Sequence, residues 1–207
     1  MHTSSHETAH PERHTASPVP PTSANAKSAF YTASLYVATM AVVIRPETER
    51  DRLAVHGLNI SAFGRPGEAQ LVDELRVQAQ PIVSLVAEEN DAVVGHIMFT
   101  PVSLANHSEL IMGLAPLAVV PDRQGAGIGS ALVRAGLERC KKLGAGAAVV
   151  LGHPKFYPRF GFFPAARFGV TCEYDVPQEA FMAIELKPGA LRQASGTVQY
   201  HAAFSNV

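Results

Sequence analysis

Residues 119–133 read VVPDRQGAGIGSALV, with three glycines set among small residues after an apolar run and before a helical pattern. Glycine has the most backbone freedom to lose on folding, so Gly125, Gly127 and Gly129 crowded together need a reason. A strand, a glycine turn and a helix start in that order bring exposed N–H groups and the positive end of the helix dipole to one point. Such a point favours an anion, most often a phosphate. The dipole alone contributes only about 0.3–1 kcal/mol per exposed charge, so direct N–H contacts must supply more.

Two phosphate loops compete for this stretch. A Walker loop ends Gly-Lys-Ser/Thr, whereas Gly129 is followed by Ser130 and Ala131 with no lysine. A dinucleotide fingerprint, G-x-G-x-x-G, puts its third glycine at position 130, where serine stands. That fingerprint also needs an acidic residue about 20 positions on to hold a ribose hydroxyl. The next apolar run ends VVLGHP, residues 149–154, without a carboxylate. Both readings fall, and a nicotinamide-dependent oxidoreductase falls with the second.

Working outward, elements alternate on both sides of the loop. AVVIRP (41–46) reads as a strand and Glu47 to Asn59 as a helix; GEAQLVDELRVQ (67–78) is a second helix with Leu71, Val72 and Leu75 on one side. IVSLVAEE, AVVGHIMFTPVSL and LIMGLAPLAVV follow, separated by turns at Asn90-Asp91 and NHSE, which predicts an antiparallel meander. After the loop, Leu132, Val133, Gly136, Leu137, Cys140 and Leu143 recur at helical spacing, with Lys141 and Lys142 in the last turn and Gly144 as the C-terminal cap. AAVVLG is a buried strand, and AFMAIEL and TVQYHAAF read as later strands. The fold class is a mixed α/β (α+β) domain.

The first 29 residues are rich in Ser, Thr, Pro, Ala and His and carry hardly any large apolar side chains, so disorder is expected there. His2, His6, His10 and His14 would line one helix face as a metal stripe, but Pro11 interrupts the helix, and Pro18, Pro20 and Pro21 follow. A solvated tail is the expectation, with no metal. Phe30 to Ile44 is apolar but short for a bilayer and lies too deep, without a basic flank, for an ordinary secretion signal. The expected organisation is a tail or mis-assigned start over 1–39, with Met40 as the alternative initiator, and one domain over 40–207.

A net charge of −1 gives no basic footprint for nucleic acid, and neither that partner nor a membrane is expected. Cys140 and Cys172 match no metal spacing and fit a reducing, cytoplasmic setting.

What remains of the loop is Gln124-x-x-Gly127-x-Gly129, and here the sequence resembles the GNAT superfamily of acetyl-CoA-dependent N-acetyltransferases. The pyrophosphate loop of that family reads Arg/Gln-x-x-Gly-x-Gly/Ala. A second match is FYPRFGF, Phe156 to Phe162, where the family carries Phe-Tyr-x-x-x-Gly-Phe beside the thioester. GLAPLAVVPDRQGAGIG and VLGHPKFYPRFGF together resemble the YhbS-type subgroup of bacterial N-acetyltransferases, and the likeness runs from Met40 to the C-terminus.

The resemblance implies the family's acyl-CoA N-acyltransferase fold: an antiparallel meander, then strand, loop, helix and strand in a sheet that splays. It implies acetyl-CoA as co-substrate and a small-molecule or peptide amine as acceptor, with a homodimer as a further expectation. The pyrophosphate would lie on N–H groups from Gln124 through Gly125, Ala126, Gly127, Ile128 and Gly129 to Ser130. Pantetheine would pair with Leu117 and Val119, Ala118 facing the other way, on a strand broken at Pro116. Tyr157 would protonate the departing thiolate, since a phenol of pKa about 10 is protonated at neutral pH. A backbone N–H near Leu117 would stabilise the oxyanion.

Several relatives use a glutamate base on the strand before the loop, and LIMGLAPLAVV has none. His96 and His153 are therefore the candidate bases, because histidine titrates near neutrality; each reads equally as a hydrogen-bonded structural histidine. Glu68 and Glu74 are candidates to hold a cationic amine, or else a solvated helix face. Ser61 to Gly67 and the C-terminal segment are where an acceptor pocket would form. A non-catalytic acyl-CoA binding or sensing domain is the rival function.

Overall fold

The computed structural model describes residues 41–206, so the tail, its histidines and Met40 lie outside the described residues. Strand β1 (Val43–Pro46) leads through a short 3-10 turn into helices α1 (Arg52–Phe63) and α2 (Gly67–Gln78). The meander is β2 (Val83–Glu89), β3 (Ala92–Leu104) and β4 (Ile111–Val119). Helix α3 (Ile128–Leu143) and β5 (Ala147–Leu151) come next. The remaining strands are β6 (Phe163–Pro164), β7 (Val170–Cys172), β8 (Phe181–Glu185) and β9 (Gly196–Gln199).

The main sheet runs β1-β2-β3-β4-β5-β8-β6, antiparallel except for the parallel β4–β5 pair. Strand β9 pairs with the end of β3, and β7 with β9. Alternation along the strands sends residues to two faces. Leu85, Ile97 and Phe99 pack with Leu132, Val133, Leu137 and Cys140 of α3. Val86 and Met98 pack with Val55, Leu71, Val72 and Leu75 of α1 and α2. The helices thus cover opposite faces of one sheet. Helix α3 lies close: a methyl group added at Gly136 would overlap the ring of Phe99.

Local chemistry explains most boundaries. Asn90 and Asp91 both take positive φ (53° and 61°), the pattern of a two-residue hairpin turn. Gly144 ends α3 at φ 93°. Arg45 clamps the entry to α1, bonding Asp51 at 2.7 and 2.8 Å and Glu88 at 2.9 Å. That guanidinium holds the Asp51 carboxyl well below the usual range.

The expected order of elements is present, with two corrections of extent. The first helix begins at Arg52 and runs to Phe63, because Thr48 and Asp51 form a capping box that closes a 3-10 turn first. Leu143, one turn past Cys140 at the end of α3, is 41% exposed. TVQYHAAF is a strand only to Gln199, and a 3-10 helix over Ala202–Asn206 follows.

Candidate functional site

Strands β4 and β5 pair from Ile111 with Ala147 to Leu114 with Val150, and there the pairing stops. A bulge follows on β4: Leu114 faces Phe99 and Leu117 faces Ile97, so Ala115 and Pro116 stand against the single residue Met98. Beyond it β4 keeps its partner β3 but, among the described residues, has no strand on its other edge. Val120 N–H donates to Val94, so antiparallel alternation turns Ala118 toward β3 and Leu117 and Val119 toward the open edge.

A cleft of about 770 Å³ fills this split. One wall is the glycine loop. Gly125 (φ 78°) and Gly127 (φ 85°) hold left-handed conformations that side chains rarely adopt, and Gly127 is the N-cap of α3. Among the described residues no side chain caps this helix, and its first backbone bond is from Ala131 N–H to Gly127. The N–H groups of Ile128, Gly129 and Ser130 therefore have no carbonyl within the helix to accept them. Gly129 has an ordinary helical backbone; a Cβ there would sit 3.8 Å from Leu117, Phe156 and Val119, in the mouth of the cleft. Gln124 Nε2 donates to the Val119 carbonyl at 3.0 Å, tying loop to strand.

Leu117, Val119, Gln124, Gly125, Gly127, Ile128, Gly129 and Ser130 all line the cleft, as do Tyr157, His153 and Glu68. Tyr157 is 7% exposed, its ring set edge-on to Phe156 at 5.0 Å and Phe162 at 5.7 Å. Burial pushes its phenol up to about 12. Gly152 makes room for that ring, which a methyl group there would overlap. His153, at the end of β5, is exposed.

Four expected site residues are not brought to the cleft. Ala118 is buried against β3, and Ala126 points to solvent at the turn. Glu74 is half-buried on α2 away from the lining. His96 is fully buried under α1 and α2, with Nε2 3.0 Å from Ser84 Oγ and Nδ1 3.4 Å from Asn59. Glu47 lies 3.8 Å from it, but Arg76 (2.5 Å) and Ser84 already occupy that carboxylate.

Desolvation, with the Arg76 charge second, pushes His96 down to about 3 and keeps it neutral. Its folded pKa lies below the unfolded value, so its contribution to stability is full above pH 6.5 and falls as pH drops from there. The loss is up to about 1.4 kcal/mol per pH unit. Urea unfolding at pH 7.5, 6.5 and 5.5 should show wild type losing stability faster than His96→Gln; parallel losses would contradict a neutral, sealed imidazole.

Several lining residues were not singled out from sequence. Arg123 sits inside the quoted loop, where a cation beside Gln124 was the available signal; Arg159 sits inside FYPRFGF. Phe63, Leu71, Tyr200 and Phe204 bring the other sheet face into the cleft, Phe63 from the Ser61–Gly67 stretch and Tyr200 and Phe204 from the C-terminal segment, the two places named for an acceptor pocket. Among the described residues no group of three His, Cys, Asp or Glu side chains could hold a metal ion, and no helix is long and apolar enough to cross a membrane.

Residues 45–162 match the acetyltransferase (GNAT) family. The chain is 34% identical over 165 residues to the uncharacterized N-acetyltransferase YhbS of Escherichia coli (strain K12), covering 79% of this chain and 99% of that one. The crystal structure of E. coli YhbS in complex with CoA superposes with a TM-score of 0.76 at 33% identity, over 80% of this chain and 93% of that chain. A GNAT family acetyltransferase from Brucella melitensis in complex with acetyl-CoA gives 0.67 at 34% identity, over 80% and 99%. An open-edged β4, an uncapped glycine-loop helix and a family match across both place this chain in the GNAT acetyltransferase family.

Proposed function

We propose that this protein is an N-acetyltransferase that moves the acetyl group of acetyl-CoA to a primary amine by direct attack in a ternary complex. The observation that carries it is the uncapped start of α3 opening onto the same cleft as Tyr157. Unsatisfied N–H groups, a helix dipole and close-approaching glycines suit a pyrophosphate. The open edge of β4 offers Leu117 and Val119 to an extended amide-bearing chain. Relatives solved with CoA and acetyl-CoA share this fold at about one-third identity, which supports the same co-substrate here.

Acetyl-CoA supplies an activated thioester; the chain's own residues handle protons and orientation. The amine nitrogen bonds to the thioester carbon, the C–S bond breaks, and the sulfur takes a proton. Tyr157 donates it, held protonated by burial and open to the cleft lining. A backbone N–H on the open β4 edge near Leu117 faces the developing oxyanion. His153 is the histidine in the lining that can accept the amine's proton, His96 being sealed away.

Acetyl-CoA at 100 times its dissociation constant should stabilise the folded protein by about 2.7 kcal/mol, seen as a rise in Tm. No shift at such a concentration would overturn the cofactor assignment.

A further inference from the structure

The half of the cleft on the α1–α2 face has its own chemistry. Its wall is Phe63, Glu68, Leu71, Tyr200 and Phe204, four apolar or aromatic side chains around one carboxylate. Glu68 is 8% exposed at the start of α2. Its Oε1 accepts from Arg65 Nη2 at 2.6 Å, while Oε2 is buried with no partner among the described residues. The Tyr200 hydroxyl, in the same wall, is also buried without a partner among the described residues, and its ring lies 5.1 Å from that of Phe204. A buried carboxylate oxygen left unpaired is costly, so the wall is complementary to a donor it does not contain.

Resting on the transferase reading, we infer that this end of the cleft takes the acceptor as a primary ammonium on an apolar, carboxylate-free body, an arylalkylamine or alkylamine. The ammonium sits on Glu68 Oε2, and the body lies against Phe63, Leu71 and Phe204. An ammonium donates three hydrogen bonds, and the carboxylate and the phenol oxygen both accept; the aromatic faces add cation–π attraction. The cation at this end, Arg65, is already engaged by Nε and Nη2 on Glu68. The arginines that line the cleft, Arg123 and Arg159, belong to the glycine loop and to FYPRFGF. A carboxylate next to the amine would thus meet Glu68 and apolar walls with no cation to answer it. The bound ammonium loses one proton before attack and a second as the amide forms. One proton ends on the CoA thiol and the other in solvent, so charge balances.

The test compares 2-phenylethylamine with phenylalanine, the same amine and ring differing by one carboxylate, using the full chain, acetyl-CoA and free-thiol release. Specificity for 2-phenylethylamine, as kcat/KM, should exceed that for phenylalanine by at least about tenfold. Glu68→Gln should raise KM for 2-phenylethylamine about tenfold or more, lowering kcat less, with the acetyl-CoA Tm shift unchanged. Phe204→Ala, which leaves the charge in place, should raise that KM as well. Equal or better use of phenylalanine, no use of 2-phenylethylamine where other amines turn over, or an unmoved KM in folded Glu68→Gln would overturn this inference alone. Failure of every amine, with acetyl-CoA still bound, would overturn the transferase reading and this inference with it.

Discussion

Tyr157→Phe should lower turnover at least tenfold, and by as much as about 10²–10⁴-fold, while acetyl-CoA stabilises the variant as it does wild type. Phenylalanine keeps the ring, and the ring is what packs: it is 7% exposed between Phe156 and Phe162. Only the hydroxyl goes, so a change in kcat reports the proton and not the fold. Burial pushes the phenol up to about 12, which keeps it loaded as an acid across the working pH range. The alkaline limb of the kcat profile should therefore show no fall from this group below about pH 10. Gly152→Ala gives a second handle, because its methyl group would displace the same ring without removing the hydroxyl. Unchanged turnover in Tyr157→Phe, with chemistry rate-limiting, would remove Tyr157 from the reaction.

Gly129→Leu should weaken acetyl-CoA binding about 10²-fold, the effect of roughly 1–3 kcal/mol of overlap in a filled site. Gly129→Ala should bind within a few-fold of wild type. A Cβ at 129 meets Leu117, Phe156 and Val119 at 3.8 Å, an ordinary contact, so the fold accepts a methyl group. A longer side chain can extend only into the cleft mouth, where the pyrophosphate is placed. Calorimetric titration with acetyl-CoA separates the two variants. Full affinity in Gly129→Leu would move the pyrophosphate away from the start of α3.

Much of this was open to reading because periodicity and turn chemistry agree along the chain. Strand β3 and helix α2 occupy the expected segments, since alternation and a Leu71–Leu75 stripe define them locally. The three glycines were legible as a group but not individually. Gly125 and Gly127 answer to backbone conformation, and Gly129 to space in front of the cleft, a distinction that depends on φ values no spacing displays. The two histidines divide for a tertiary reason. Each ends or lies on a strand, but His96 falls on the face that α1 and α2 cover, while His153 stands where β5 leaves β4. The two glutamates divide by helical phase. Glu68 is three and seven residues before Leu71 and Leu75, on the buried stripe, and Glu74 lies off it. Tyr200 and Phe204 were hidden because their approach to the cleft depends on where β9 ends and on the 3-10 helix that follows it.

The most direct measurement mixes the full chain, acetyl-CoA and a primary amine, and follows both free thiol and the mass of the amine. Thiol should appear only when all three are present, one for each N-acetylated amine formed. If acetyl-CoA raises Tm yet no amine releases thiol above the rate without protein, the chain is an acyl-CoA binding domain and not a transferase.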